Sequence, residues 1–155
     1  MPKYVFSFES KIGNLNIYET NKKIFRIEYN EEKIDKEYKF EMTPTIENAI
    51  REIEEYLNGD RKIFTVPIEL CGTEFQIKVW DELLKIPYGE TKTYKEIAMN
   101  IENKKAYRAV GRANNKNPIP IIVPCHRVVG SDQSLVGYKG GLEIKKALLD
   151  IENAN

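Results

Sequence analysis

The feature that most constrains this fold is a segment rich in proline and glycine, NPIPIIVPCHRVVGSDQSLVGYKGGL, at residues 117–142. Proline removes a backbone donor and glycine loosens the backbone, so neither a long helix nor a central strand can run through this segment. The segment also places Cys125 directly before His126, the only histidine of the chain. Neighbouring side chains point apart in a regular helix or strand. The imidazole can therefore reach the sulfur only if the backbone turns there.

The Cys125–His126 pair is a candidate reactive site. A base beside a thiol promotes its ionisation, and the thiolate is the nucleophilic form of cysteine. Two structural explanations stand beside this one: Cys125 as a buried structural thiol, and His126 as the partner of a buried polar group. Gly140 and Gly141 nearby allow a close approach of the backbone or a positive φ, so a flat ligand could lie against them.

Composition excludes several classes of protein. A chain of 155 residues has room for one domain or two small lobes. Two cysteines cannot build a disulfide framework, and with one histidine they are too few for a structural zinc site, so we predict no metal and a reducing, cytoplasmic location. Cys71 is predicted to be a core thiol. No apolar run approaches the ~20 residues of a membrane span, which predicts a soluble chain.

The formal charge is balanced, at 24 basic and 24 acidic residues, but it is unevenly distributed. Residues 1–60 carry a net charge of −4, whereas residues 91–128 carry eight Lys and Arg against two Glu, a net charge of +6. A local basic surface can bind phosphates on a neutral molecule. Charge runs of this kind are also common on solvated helix faces.

The first part of the chain is predicted to be rich in strands. YVFSFES, NLNIYET and KIFRIEYN are short, β-branched and aromatic, which predicts an antiparallel meander over about residues 3–30. A helix follows, with Thr43 as N-cap, Pro44 at its first position and Gly59 as its stop signal. Its apolar positions fall on one face: Ile46, Ile50, Ile53 and Leu57.

The second part is predicted to be mostly helical, with the lobe boundary near residue 67. A capping box, Thr73 to Gln76, opens a helix whose buried face is predicted at Phe75, Val79, Trp80 and Leu83. A second capping box, Thr93 to Glu96, opens another helix. KKAYRAVGRANN then predicts a short basic helix with small residues. The last two helices fit a helix-turn-helix pattern, and they fit an ordinary packing hairpin equally well.

These residues carry a resemblance to a known family. The segment at 117–142, with the helix that follows it, resembles the active-site signature of the O6-alkylguanine-DNA alkyltransferases. The likeness extends upstream through GTEFQIKVWDELLKIPYGETKTYKEIA and YRAVGRANNKNP, so it covers about residues 72–152. Residues 1–67 resemble the family only in their order of strands and helix.

The resemblance implies an α+β fold and a DNA-repair function. It implies a small N-terminal antiparallel sheet with a helix, ribonuclease H-like, at residues 1–67, and a mostly helical, helix-turn-helix (winged-helix-like) lobe that carries the active site at residues 68–155. The reaction would be single-turnover transfer of an alkyl group from O6-alkylguanine in DNA, or from O4-alkylthymine, to a cysteine of the protein. No cofactor is implied, and the partner is double-stranded DNA, bound by a monomer without membrane or obligate protein partners.

The resemblance also implies roles for single residues in alkyl transfer. Cys125 would accept the alkyl group, His126 would draw its proton through a water, and Glu152 would orient the imidazole. Asn117 would be the hinge residue that holds the turn before the active site. Tyr94 would donate to the departing guanine and help to rotate the nucleotide outward.

Further residues are implied to contact DNA and the flipped base. Arg108 would fill the gap that the flipped nucleotide leaves in the base stack. The DNA-binding surface would also include Tyr94, Lys104, Ala106, Ala109, Gly111 and Arg112. The alkylguanine pocket would be lined by Val136, Tyr138, Lys139, Gly140 and Gly141. Lys139 stands where some members of the family carry a small hydroxyl residue that contacts the base.

Two other functions fit parts of the pattern. A cysteine hydrolase could use Cys125 and His126 over many turnovers, although the partners in such enzymes usually come from separate segments. A DNA-binding or sensing module would bind damaged DNA without reacting. Relatives of that kind replace the acceptor cysteine, which is present here.

Overall fold

The predicted antiparallel meander forms the sheet of the N-terminal part. In the computed structural model, which describes residues 1–29, 33–138 and 140–154, β1 (Lys3–Ser10) pairs with β2 (Gly13–Thr20), and β2 pairs with β3 (Lys23–Tyr29). A two-residue strand, β4 (Lys39–Phe40), lies parallel to β1 and gives the order β3-β2-β1-β4. The sequence did not predict β4, because two residues carry no periodicity.

Helix α1 (Pro44–Leu57) packs against the three long strands. Its start is the predicted one, since the Thr43 hydroxyl accepts a hydrogen bond from the amide of Ile46 over 3.1 Å. The four predicted apolar positions of the helix are all buried, which confirms the amphipathic pattern. Leu15, Ile17 and Ile27, which lie on one face of the paired strands β2 and β3, are buried as well.

Three helices follow in the C-terminal part. They are α2 (Glu74–Leu84), α3 (Tyr94–Asn100) and α4 (Tyr107–Asn115). Both predicted capping boxes are formed at the starts of α2 and α3. A turn of 3₁₀-helix (Lys104–Ala106) precedes α4, and α2 and α3 both pack against α4. The predicted helix-turn-helix pair is therefore present as α3 and α4.

The rest of the C-terminal part surrounds the segment rich in proline and glycine. A turn of 3₁₀-helix (Cys125–Arg127) leads into β6 (Val128–Val129), which pairs in parallel with β5 (Lys92–Thr93) just before α3. Helix α5 (Leu142–Ala154) packs against that turn. This parallel pairing ties the start of the helix-turn-helix pair to the backbone that follows Cys125.

The chain divides into two compact units, Met1–Leu70 and Cys71–Asn155. The sequence-based boundary after residue 67 falls within the last residues of the first unit. The prediction that Cys71 is a core thiol is wrong: its side chain is exposed, because it lies in the irregular segment before α2. In the parts of the chain described here, no helix has the length and apolar character needed to cross a membrane.

Gly72 offers a test of packing in the second unit. A Cβ atom at this position would lie 2.6 Å from two ring carbons of Trp80. That indole is buried and donates from Nε1 to the carbonyl of Ala113 over 2.9 Å. Because the ring would have to shift, we expect Gly72→Ala to lower the free energy of unfolding by about 1–3 kcal/mol, measured by urea denaturation.

Gly111→Ala is the matched control. Its added Cβ would lie 3.8 Å from the ring of Tyr94, an ordinary contact, and alanine favours a helix over glycine by about 1 kcal/mol. This variant should therefore be at least as stable as the parent. Equal stability of Gly72→Ala and the parent would contradict the packing described for Trp80.

Candidate active site

The chain turns before Cys125, and the side chain of Asn117 holds the turn. Asn117 Nδ2 donates to the carbonyl of Val123 over 2.8 Å, and its Oδ1 accepts from the amide of Ile119 over 3.0 Å. Ile121, within the turn, has a φ of 76°, a conformation that a β-branched residue adopts only at a cost in free energy. The buried amide of Asn117 therefore fixes an irregular backbone immediately before the cysteine.

Cys125 and His126 lie in the 3₁₀ turn Cys125–Arg127, which the amide of Arg127 closes by donating to the carbonyl of Pro124 over 3.0 Å. Both side chains are buried, Cys125 at 2 % and His126 at 0 % exposure. Solvent therefore screens their charges weakly, and nearby charged groups act on the thiol with more effect than at a surface.

Glu152, on α5, is the partner of the imidazole. Its Oε2 accepts a hydrogen bond from His126 Nε2 over 2.7 Å. Arg127 donates to the same carboxylate from Nε over 2.9 Å and from Nη2 over 3.0 Å, and the amide of Gly89 donates over 3.0 Å. The carboxylate thus joins α5, the cysteine turn and the segment before β5.

His126 is neutral at neutral pH. Burial lowers the pKa of its imidazole from the ordinary 6.5, and the charges of Arg127 and Lys145 lower it further, against the opposing effect of Glu152. The proton of the neutral ring lies on Nε2, because a carboxylate can only accept. Nδ1 is therefore the basic nitrogen of the ring.

Arg127 is one of the eight basic residues at 91–128 that predicted a basic surface, and for this residue the prediction is wrong. It is buried, with its Nη1 on the carbonyl of Ile86 at 2.7 Å and its other donors on Glu152. A bidentate pair with a buried carboxylate satisfies the guanidinium inside the domain. The basic surface around α4 is correspondingly smaller by one charge.

Lys145 is a site residue that the sequence analysis missed. Its buried ammonium donates to the carbonyls of Val128 at 2.6 Å, Val136 at 2.9 Å and Gly137 at 3.4 Å. Burial lowers its pKa to about 8, and the negative charge of an ionised Cys125 opposes that shift. The two groups therefore favour each other's charged form.

A signal for Lys145 was present in the sequence. The buried residues of α5 are Lys145, Leu148 and Glu152, at the helical spacing i, i+3 and i+7. A lysine on the same stripe as a buried leucine predicts a charged group inside the domain. Glu152 was assigned from the family resemblance, and the same spacing supports its burial.

Tyr94 begins α3 and reaches the loop that follows β6. Its hydroxyl donates to the carbonyl of Val136 over 3.0 Å. Burial raises the pKa of this phenol, the charge of Cys125 raises it further, and a hydrogen bond from the side chain of Asn114 lowers it. Tyr94 therefore stays protonated at neutral pH, within reach of the electrostatic field of Cys125.

The loop after β6 holds the residues predicted to line the alkylguanine pocket. Val136 is 42 % exposed, and Tyr138 and Gly140 are partly exposed. Gly141 has a φ of 98°, in the region that favours glycine. Lys139 lies outside the described residues. The structure brings Val136 to Tyr94, and the roles of all five loop residues in binding a base stay predictions.

The predicted DNA-binding cations lie on α4 and the turn before it. Lys104, Arg108 and Arg112 are exposed. Tyr107, at 38 % exposure, lies between two cations, with Lys95 Nζ and Arg108 Cζ each 5.8 Å from the centre of its ring. The exposed side of α4 is therefore basic and includes an aromatic ring.

The small residues of α4 and of the turn before it lie in two different environments. Ala106 and Ala109 are partly exposed, as a close approach to a surface would require. Gly111 instead lies against the ring of Tyr94. Its predicted part in DNA binding stays a prediction, and its observed part is the close packing of α3 on α4.

Comparisons with known proteins identify the family of this chain. A family model described as 6-O-methylguanine DNA methyltransferase, ribonuclease-like domain, matches residues 3–70, and one described as 6-O-methylguanine DNA methyltransferase, DNA binding domain, matches residues 74–154. The chain belongs to this family. The resemblance predicted from the sequence is confirmed, and so is the α+β fold. The match at residues 3–70 extends beyond the coarse likeness expected for the N-terminal part.

Several members of the 6-O-methylguanine DNA methyltransferase family are similar over most of the chain. The constitutive methylated-DNA–protein-cysteine methyltransferase of Bacillus subtilis is 42 % identical over 158 residues, covering 96 % of this chain and 94 % of that protein. That of Methanosarcina barkeri is 55 % identical over 107 residues, covering 69 % and 68 %. The crystal structure of Mycobacterium tuberculosis OGT in complex with DNA has a TM-score of 0.91 at 39 % identity, covering 97 % and 93 %.

Glu152→Ala tests the buried network. The substitution leaves the guanidinium of Arg127 without its carboxylate inside the domain. Breaking a buried ion pair by removing one partner costs about 3–5 kcal/mol, so we expect a loss of that size in the free energy of unfolding, measured by urea denaturation.

Asp150→Ala is the control on the same helix. Asp150 pairs with Lys146 over 2.8 Å, and both side chains are more than half exposed. Exposed pairs contribute at most about 1 kcal/mol. Similar losses for the two variants would show that the Glu152 network does not stabilise the domain.

Proposed function

We propose that this chain removes an alkyl group from the O6 atom of guanine in DNA and retains it on the sulfur of Cys125. Its membership of the 6-O-methylguanine DNA methyltransferase family supports the reaction class. The observation that carries the assignment of residues is the buried series Cys125, His126 and Glu152, in which the last two are joined over 2.7 Å. O4-alkylthymine is a further candidate substrate.

The first step is ionisation of the thiol. His126 takes the proton of Cys125 at Nδ1 through a water, while its Nε2 hydrogen bond to Glu152 fixes the tautomer and the plane of the ring. The positive charge of Lys145 favours the thiolate that results. Both effects act inside the domain, so salt in the solvent weakens them much less than it weakens surface interactions.

The second step is alkyl transfer. The thiolate attacks the alkyl carbon, a carbon–sulfur bond forms, and the bond between that carbon and O6 breaks. The electron pair of the broken bond passes into the guanine ring, which takes a proton from the Tyr94 hydroxyl. Tyr94 regains a proton from the imidazolium through solvent, so the products are guanine and a neutral thioether.

DNA docks on the exposed side of α4 in this proposal. Arg108, Arg112 and Lys104 are exposed cations that can contact phosphates, and Ala106 and Ala109 allow the helix to approach closely. The buried sulfur cannot reach a stacked base, so the nucleotide must leave the duplex. Arg108 would occupy the gap in the stack.

The alternatives receive less support. A hydrolase needs an intermediate that water can release, whereas a thioether offers no easy leaving group. A non-reacting sensor does not need a thiol buried beside a basic imidazole and a lysine. Incubation with a known amount of alkylated duplex separates the three functions, because they transfer one equivalent, many or none.

Stoichiometry is the direct test. Intact mass after reaction with excess O6-methylguanine duplex should rise by one methyl group per chain, on Cys125, and the reaction should then stop. Cys125→Ala should abolish transfer and retain DNA binding. Cys71→Ser is the matched control and should still transfer one equivalent. Cys71 is the more exposed thiol, yet in the parent it should remain unlabelled. Multiple turnover, or label on Cys71, would exclude this function.

Base flipping can be separated from chemistry with Arg108. Arg108→Ala should slow repair of O6-methylguanine in duplex DNA by one to two orders of magnitude, since about 1.4 kcal/mol corresponds to tenfold. The free base O6-benzylguanine needs no flipping, so its reaction should be nearly unchanged. His126→Ala should slow both reactions, because it acts on the sulfur.

Arg112→Ala is the charge-matched control on the same helix. It should weaken duplex binding through a lost phosphate contact, and saturating protein should restore the rate. Equal losses for Arg108→Ala on duplex and on free base would show that Arg108 supports the pocket and not the flipped state.

A further inference from the structure

Asn114 lies beside two reacting groups without a part in the mechanism above. It is on the inner face of α4, at 1 % exposure. Its Nδ2 donates to the carbonyl of Cys125 over 3.4 Å, and a Cβ atom on Gly111, one helical turn earlier, would lie 3.8 Å from the ring of Tyr94. The side chain of Asn114 also lies near enough to the Tyr94 hydroxyl to lower the pKa of that phenol. The amide group thus connects the backbone of the alkyl acceptor to the phenol that serves the departing guanine.

Asn114 is not explained by fold stability. Among the residues that the structure describes, no donor reaches its buried Oδ1. A buried carbonyl oxygen without a hydrogen bond lowers stability, and an apolar side chain of the same size would avoid that cost. An asparagine at this position therefore indicates a function for its donor, Nδ2.

We propose that Asn114 is a positioning residue for alkyl transfer, which acts by donating Nδ2–H to the hydroxyl oxygen of Tyr94. This inference rests on the proposed function. In the absence of substrate the Tyr94 proton lies on the carbonyl of Val136, at 3.0 Å. When guanine takes the place of that acceptor, the donated hydrogen bond holds the oxygen in position and leaves its proton directed at the base.

The same hydrogen bond makes Tyr94 a better proton donor. Burial and the charge of Cys125 both raise the pKa of the phenol, which hinders proton transfer, and the bond from Asn114 opposes them. As the proton moves to guanine, negative charge grows on the Tyr94 oxygen. A hydrogen bond to a charged acceptor is stronger than one to a neutral acceptor, so this contact is stabilised during the reaction.

A double-mutant cycle tests the proposal. The rate constant for alkyl transfer from O6-benzylguanine is measured at saturating free base for the parent, Asn114→Leu, Tyr94→Phe and the double variant. We expect Asn114→Leu to slow transfer about tenfold or more, and the double variant to react within about twofold of Tyr94→Phe alone. Losses that multiply would overturn the proposal, because Asn114 would then act independently of Tyr94.

Stability distinguishes positioning from a structural role. Asn114→Leu should unfold at the same urea concentration as the parent or a higher one, whereas a structural residue would lose stability together with activity. If the leucine variant does not fold, Asn114→Ala gives the same cycle with a smaller side chain. Asn100→Leu, at the exposed end of α3, is the matched control and should react as the parent does.

The outcome also separates this proposal from the function on which it rests. A parent protein that transfers no alkyl group would refute the proposed function, whatever the variants do. A parent that transfers one equivalent, with Asn114→Leu and Asn114→Ala at its full rate, would refute only the role of Asn114.

Discussion

The carboxylate of Glu152 is the interaction on which the site depends. It accepts a hydrogen bond from His126, two from Arg127 and one from the amide of Gly89. Burial lowers the pKa of the imidazole and the charge of Arg127 lowers it further, so the carboxylate orients the ring without holding it in the charged form. A carboxylate paired with His126 alone would favour the imidazolium, which cannot act as a base. Burial, together with the charges of Arg127 and Lys145, therefore allows the imidazole to remain a base beside a carboxylate.

The polar network is built from segments that carry little regular structure. The side-chain amide of Asn117 holds the turn that precedes Cys125. The 3₁₀ turn that contains Cys125 leads directly into β6, which pairs with β5. That pairing joins the backbone that follows Cys125 to the start of α3, where Tyr94 lies. A shift of α3 would therefore move Tyr94 and the backbone after Cys125 together. This coupling of the helix-turn-helix pair to the thiol follows from a ladder of only two residues on each strand.

The sequence predicted features that arise from nearby residues. The caps at Thr43, Thr73 and Thr93 were correct, because each depends on an interaction with a residue three positions away. The burial of Cys71 was predicted wrongly, since exposure depends on how distant segments pack. Arg127 and Lys145 were missed for the same reason. Their partners come from other elements, and a basic residue in a sequence is more often at the surface.

In the proposed reaction, the balance of charge among the buried groups changes when the alkyl group is transferred to Cys125. Under this proposal, the thiolate of Cys125 balances the ammonium of Lys145 before transfer, as Glu152 balances Arg127. The thioether is neutral, so the ammonium loses its counter-charge while it remains buried. Burial already lowers the pKa of Lys145 to about 8, and loss of the thiolate removes the one interaction that raised it. The proposed function therefore predicts that alkylation lowers the pKa of Lys145 further, so that a larger fraction of its ammonium loses its proton at neutral pH. The three carbonyls that accept from Lys145 belong to β6 and the loop after it, so the proposed chemistry at the sulfur would weaken the contacts that position that loop.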